Sequence, residues 1–150
     1  MSGPTITLER AYTDELERVE SLLEANGLPF EDVRETPALF LLAWAGANET
    51  TVVGAGGIEQ YGSNGLLRSV VVDEEFRGRE YGTVLCDKLE EFARSEGIET
   101  LYLLTTTASA FFDHRGYEEI PRDDAPPRIQ RTTEFAALCP DSATCMKRKL

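Results

Sequence analysis

The chain has 150 residues and a mass of 16.7 kDa, a length that fits one domain burying roughly two-thirds of the surface its unfolded form exposes. Hydrophobic residues make up 41% and charged residues 28%, a globular balance rather than a disordered one. Lys+Arg total 15 against 27 Asp+Glu, a net charge of −12; this field repels phosphate backbones and anionic membranes, so neither nucleic acid nor membrane is expected as a partner.

Ile6 and Leu8 alternate with Thr5, Thr7 and Glu9, a short strand. Thr13 then caps a predicted helix to about Asn26, with Leu16, Val19, Leu22 and Leu23 on one face and Gly27 ending it. Pro29 to Pro37 reads as a loop or short helix, Leu39 to Trp44 as a buried strand and Ala47-Asn48-Glu49 as a turn. Thr51 to Tyr61 returns as a second strand, Gly62-Ser63-Asn64-Gly65 turns, and Leu66 to Val72 is a third. After a charged loop, Glu74 to Glu80, a helix is predicted from about Gly82 to Ser95, with Val84, Leu85, Leu89, Phe92 and Ala93 on one face and Gly97 stopping it. Leu101 to Leu104 is the next strand, so strand, helix and strand form a parallel crossover. Thr107 or Ser109 starts a short helix ending near Gly116, Tyr117 to Ile120 is a strand, Asp123 to Pro140 holds a further helix, and Cys145 to Leu150 returns as an edge strand. This order is that of a mixed α/β domain.

The chemistry concentrates at Arg77-Gly78-Arg79-Glu80-Tyr81-Gly82, between a buried strand and a helix N-terminus. Unpaired N–H groups and the positive end of the helix dipole gather there. Glycines admit an anion close to the backbone, and Arg77 and Arg79 offer forks suited to phosphate. The competing interpretation is a glycine-containing turn with solvated arginines. No Gly-x4-Gly-Lys-Ser/Thr occurs, and Gly54-Ala55-Gly56-Gly57 is followed by more strand rather than a helix, so it reads as a bulge or close backbone approach, not a dinucleotide fingerprint.

Only Lys88, Lys147 and Lys149 are lysines; the other twelve basic residues are arginines. An acidic, lysine-poor surface fits a salt-adapted cytoplasm. Met1-Ser2-Gly3-Pro4 shows no basic stretch leading into an apolar one, so a cytoplasmic location is expected rather than secretion. Cys86, Cys139 and Cys145 lack the Cys-x2-Cys spacing of a zinc site, and His114 is the sole histidine, so no metal is expected.

The run Val72-Asp73-Glu74-Glu75-Phe76-Arg77-Gly78-Arg79-Glu80-Tyr81-Gly82 resembles the acetyl-CoA motif of the GCN5-related N-acetyltransferase (GNAT) superfamily, with Glu80 where that family usually has its middle glycine. Ala108-Ser109-Ala110-Phe111-Phe112-Asp113-His114-Arg115-Gly116-Tyr117 resembles the later family pattern. Residues from about 5 to 120 carry the core likeness, with a C-terminal helix and strand over 123 to 150. Leu66-Leu67-Arg68-Ser69, Leu104-Thr105-Thr106-Thr107 and the tail around Cys139 and Cys145 are similar to the arsenic-resistance N-acetyltransferase subgroup.

The resemblance implies a single-domain acyl-CoA N-acyltransferase fold and direct attack of a small-molecule amine on acetyl-CoA, with no covalent acyl-enzyme. It implies that main-chain groups of Val70, Val71 and Val72 hold pantetheine and the thioester carbonyl, and that N–H groups from Arg77, Gly78, Arg79, Glu80, Tyr81, Gly82 and Thr83 hold the pyrophosphate. A neutral amine is needed at a pH where amines are protonated, so a base is required; Glu59, on the neighbouring strand, is the candidate, against a plain surface carboxylate. Phe112 stands where the family often has the tyrosine that protonates the thiolate, which leaves Tyr61, Tyr102, water or no acid at all for that step; Phe111 and Phe112 are expected to line the acyl or pantetheine channel. Arg68 is a candidate for a substrate carboxylate or phosphonate, against an outward arginine pairing with surface glutamates. Thr106, at a strand's C-terminal end, is a second substrate-binding candidate, against a simple strand-to-helix cap. Cys139 and Cys145 are candidates for trivalent arsenic, against buried or edge thiols; His114 is expected to be exposed and Trp44 to lie in the core. The acceptor is expected to be an amino-acid-like toxin such as an arsenical, and two copies are expected to pair through C-terminal strands. The rival function is a non-catalytic acyl-CoA-binding or arsenic-sensing module, favoured by Glu80 and the missing tyrosine; a protein acetyltransferase is disfavoured because nothing in the sequence points to a long peptide groove.

Overall fold

The computed structural model describes residues 6–28, 30–35, 37–45, 51–77, 80–133, 135–136 and 142–150. The expected Ala47-Asn48-Glu49 turn, Gly78, Arg79 and Cys139 lie outside the described residues. β1 (Ile6–Arg10) leads through a 3-10 turn at Thr13–Glu15 into α1 (Leu16–Ala25). Thr13 does not cap that helix: the Tyr12 carbonyl accepts from the Glu15 and Leu16 N–H groups, so the main chain itself starts it. At the other end Gly27 takes φ +72, and Gly27 and Leu28 donate to Glu24 and Leu23, the paired bonds of a glycine-terminated helix. β2 (Leu39–Ala45) and β3 (Thr51–Tyr61) pair antiparallel. β4 (Asn64–Val72), α2 (Tyr81–Ser95) and β5 (Thr100–Thr105) make the expected parallel crossover. α3 (Ser109–His114), β6 (Glu118–Ile120), α4 (Pro127–Gln130) and β7 (Thr144–Lys149) follow. The strands form one mixed sheet in the order β1-β2-β3-β4-β5-β7-β6.

One expectation changes. β7 is not an edge strand: it pairs with β5 along its whole length and with β6 from Cys145 to Lys147. Its basic end looks like an edge because β6 stops at Glu118, leaving Arg148 and Lys149 paired on the β5 side alone. The segment 123–140 does hold a helix, as expected: α4 is one turn over Pro127–Gln130, and Thr133, Phe135 and Ala136 are also helical. Pro126-Pro127 fixes its start, and past its end the Thr132 hydroxyl donates to the Ile129 carbonyl and accepts from the Phe135 N–H, competing with the helical ladder.

Packing divides the chain into two compact units: Met1–Ile58 with Ser69–Phe92, and Glu59–Arg68 with Ala93–Leu150. In the first, Val19 and Leu23 of α1 pack on Phe40, Leu42, Ala55 and Val71, with Trp44 half-buried at the margin rather than in the core. The glycines of β3 mark a close approach: a Cβ on Gly54 would fall on the Val71 carbonyl, and one on Gly56 would come within 2.6 Å of Leu89. In the second unit Leu66, Tyr102, Leu104 and Cys145 pack beneath Ala125, Ile129, Phe135 and Ala143. The first unit carries 17 acidic and 6 basic side chains, the second 10 and 9, so nearly all of the net charge of −12 belongs to the first. Among the described residues no helix is long and apolar enough to cross a membrane.

Candidate active site

The first unit holds the loop singled out by its glycines and arginines. Within β4, Ser69 takes a left-handed φ of +56, a conformation that a side chain disfavours. The β4–β5 ladder covers only Asn64–Leu66 against Thr100–Tyr102, so the main-chain groups of Val70, Val71 and Val72 lie beyond it. Past Val72, the Asp73 N–H donates to Val53 and its carboxylate accepts from the Glu74 N–H, setting a 3-10 turn at Glu74–Phe76. The Phe76 and Tyr81 rings meet edge to face at 5.5 Å.

Arg77 serves the loop itself: its Nε donates to the Val72 carbonyl at 3.1 Å and its Nη2 to Asn26 Oδ1 at 2.5 Å, tying the end of β4 to the end of α1. Glu80 is exposed and takes φ +66, and its carbonyl accepts the Val84 N–H, the first helical bond of α2. The glutamate thus adopts the backbone conformation that a glycine supplies freely, at a strain of roughly 1–2 kcal/mol. The N–H groups of the first turn, beginning with Tyr81 and Gly82, have no partner within the helix.

The second unit gathers side chains from three separate segments. Glu59 is 2% exposed and Arg68 1% exposed, and Arg68 Nη1 lies 3.1 Å from Glu59 Oε2. The half-buried Tyr61 donates its phenolic hydrogen to Glu59 Oε1 at 2.5 Å. Burial, reinforced by the carboxylate beside it, raises the Tyr61 phenol above the ordinary tyrosine range, so it stays a donor. Above the Tyr61 ring lies the exposed Arg128, its guanidinium carbon 4.9 Å from the ring centre. Alternation along β3 explains why Glu59 and Tyr61 share a face.

The structure thus places Glu59 inside, not on the surface, and corrects the outward orientation weighed for Arg68, which is buried and pairs with the Glu59 carboxylate rather than with surface glutamates. Thr106 is exposed, while the neighbouring Thr105 hydroxyl accepts the Ala108 N–H at 3.0 Å, the capping arrangement. Phe112 is 7% exposed and stands edge-on to Phe111 and Tyr117 at 5.1 and 5.3 Å, a packed aromatic stack rather than an open lining. Tyr102 is buried in the core and His114 is exposed. The Cys145 thiol is buried, its pKa pushed up to about 11 by burial, which keeps it protonated and a poor arsenic ligand.

A left-handed residue in β4, a left-handed residue entering α2 and a buried carboxylate on β3 accompany a match of residues 7–118 to the family model described as the acetyltransferase (GNAT) family. The chain belongs to the GNAT acetyltransferase family. An uncharacterized N-acetyltransferase of Chlorobaculum tepidum is 35% identical over 79 residues, 53% of this chain and 48% of that one; the match therefore spans about half of that relative. Among solved structures, N-acetylglutamate synthase of Neisseria gonorrhoeae, complexed with coenzyme A and N-acetyl-glutamate, has a TM-score of 0.79 at 16% identity, over 99% of this chain and 36% of that one. A GNAT-family acetyltransferase of Staphylococcus aureus has a TM-score of 0.73 at 20% identity, over 97% and 99%. The GNAT loop here fits a coenzyme A diphosphate: it delivers a helix N-terminus behind a left-handed turn despite Glu80, and the contact it offers is main-chain.

Proposed function

We propose that this GNAT chain is an acetyl-CoA-dependent N-acetyltransferase acting on the amino group of a small molecule within one ternary complex. Acetyl-CoA, when bound, supplies an activated acetyl group. The chain's own residues then have three tasks. The first turn of α2 and the preceding loop hold the diphosphate through N–H groups. The main chain of Val70 to Val72 takes the pantetheine as a strand would, and an N–H there is available to the thioester carbonyl. Glu59 removes the amine proton through Tyr61: the amine N–H passes its hydrogen to the Tyr61 oxygen as the phenolic hydrogen moves to Glu59 Oε1, so each atom ends with its proper valence. Arg68 fixes the carboxylate for that exchange.

The observation that carries this reading is the short Tyr61–Glu59 bond. A buried carboxylate that accepts a hydrogen bond from the hydroxyl of a half-buried tyrosine is a base with a built-in relay. The left-handed Glu80 counters the rival reading of a degenerate binding module, since the replaced glycine's geometry is retained. The likeness of the Leu66-Leu67-Arg68-Ser69 segment and the tail to the arsenic-resistance subgroup supports an amino-acid-like arsenical as one acceptor. The charge balance supports a salt-rich working medium, and the C-terminal strands are where two copies would pair. Thiol release from acetyl-CoA across a panel of small amines in molar KCl tests the activity: release dependent on an amine is expected, and binding of the thioester without turnover on any amine would contradict it.

A further inference from the structure

Arg128 was not among the residues singled out by the GNAT pattern, yet it lies over the ring of the relay tyrosine. It is the second residue of α4, in the excursion between β6 and β7. Its guanidinium carbon lies 4.9 Å from the centre of the ring of the tyrosine whose hydroxyl touches Glu59. A guanidinium held over a ring by cation–π attraction and exposed to solvent keeps its N–H groups available for a fork of hydrogen bonds. The other arginines near the second unit's core are engaged: Arg68 with Glu59, and Arg122 with the Phe135 carbonyl at 2.7 Å. Among the described residues no carboxylate lies within ion-pair distance of Arg128, although the chain holds 27 acidic side chains.

The geometry points to Arg128 as the group that receives an anion on the acceptor, and hence to acceptors with a carboxylate beside the amine, as in an α-amino acid. A carboxylate forked by the Arg128 edge holds the adjacent amine near the Tyr61 hydroxyl, a few ångströms away on the same ring. The same cation repels a second ammonium, so diamines and polyamines are selected against. Arg128 binds and orients; the proton moves through Tyr61 and Glu59. This inference rests on the transferase reading and adds to it the acceptor's second functional group.

The test compares thiol release from acetyl-CoA with the twenty L-α-amino acids and with their α-amides, which keep the amine and lose the charge. For the best side chain, the acid is expected to exceed its amide in kcat/KM by on the order of ten- to a hundredfold, the worth of a charge-assisted fork. Arg128→Ala should collapse that ratio, the KM of the acid rising by more than that of the amide, and Arg128→Lys should restore only part of it. Because Arg128 is exposed, the variant should melt with the wild type. An unchanged ratio in Arg128→Ala, or a wild type that prefers amides, overturns the assignment while the transferase reading stands. No release with either series while another small amine is acetylated overturns the Arg128 assignment alone, and no release with any amine overturns both.

Discussion

The loop before α2 and the cluster around Glu59 work with different parts of a residue. The loop offers main-chain N–H groups, so the side chains matter only through the backbone angles they allow; even a glutamate serves at φ +66. The Glu59 cluster offers side-chain atoms from β3, β4 and α4, and each is held by another: Tyr61 and Arg68 on the carboxylate, Arg128 on the Tyr61 ring. A main-chain site tolerates substitution and announces itself by a local motif. A side-chain site tolerates little and has no local motif.

The largest separation should come from Glu59. Glu59→Gln keeps the shape and removes the proton acceptor, so kcat should fall roughly 10²- to 10⁴-fold, the usual worth of a positioned base, as read by thiol release. A fall of less than threefold would make Glu59 structural. Next is Arg68→Met, which leaves the Glu59 charge buried without its cation and should cost about 3–5 kcal/mol in urea unfolding. Adding Glu59→Leu should recover much of that loss, whereas additive losses would mean the two groups do not compensate each other.

In the first unit the effects are smaller and geometric. Gly54→Ala drives a methyl onto the Val71 carbonyl and should destabilise by about 1–3 kcal/mol; a neutral result would break the close-approach reading. Glu80→Gly relieves the left-handed strain and should stabilise the fold by about 1 kcal/mol, while Glu80→Ala removes the charge and keeps the strain. Tighter coenzyme A binding in both, with stabilisation in the glycine variant alone, separates charge from backbone. The smallest effect concerns pH. The Tyr61 phenol is raised, so its contribution to stability is complete below the ordinary value near 10 and is lost only as pH climbs through the folded value. The wild-type rate should therefore show no alkaline fall from phenol ionisation up to about pH 10, and a fall that Tyr61→Phe abolishes would contradict that.

Much of the fold was legible because its signals are local. β3 ends where Thr51 and Tyr61 placed it, and α2 begins one residue before the expected Gly82, since Glu80 rather than Gly82 makes the turn. β7 misled because its lysines answer to the shortness of β6, a fact of pairing that no residue in 144–149 encodes. The candidate site divides along the same line. The loop from Arg77 to Gly82 stood out by its glycines and arginines, and Glu59 was visible as a strand carboxylate. The inward turn of Arg68 and the seat of Arg128 on Tyr61 were not, because Glu59 and Arg68 are nine residues apart across a hairpin and Arg128 reaches Tyr61 only through tertiary packing. The left-handed backbone at Ser69 had no signal, as serine does not mark such a position.

Calorimetric titration of coenzyme A into the purified chain, at millimolar and at molar KCl, tests the central claim most directly. The loop sits in the unit with 17 acidic and 6 basic side chains, so screening should favour an anionic ligand: saturable binding is expected, tighter in molar salt. No binding at any salt concentration would contradict the assignment of the loop and the transferase built on it.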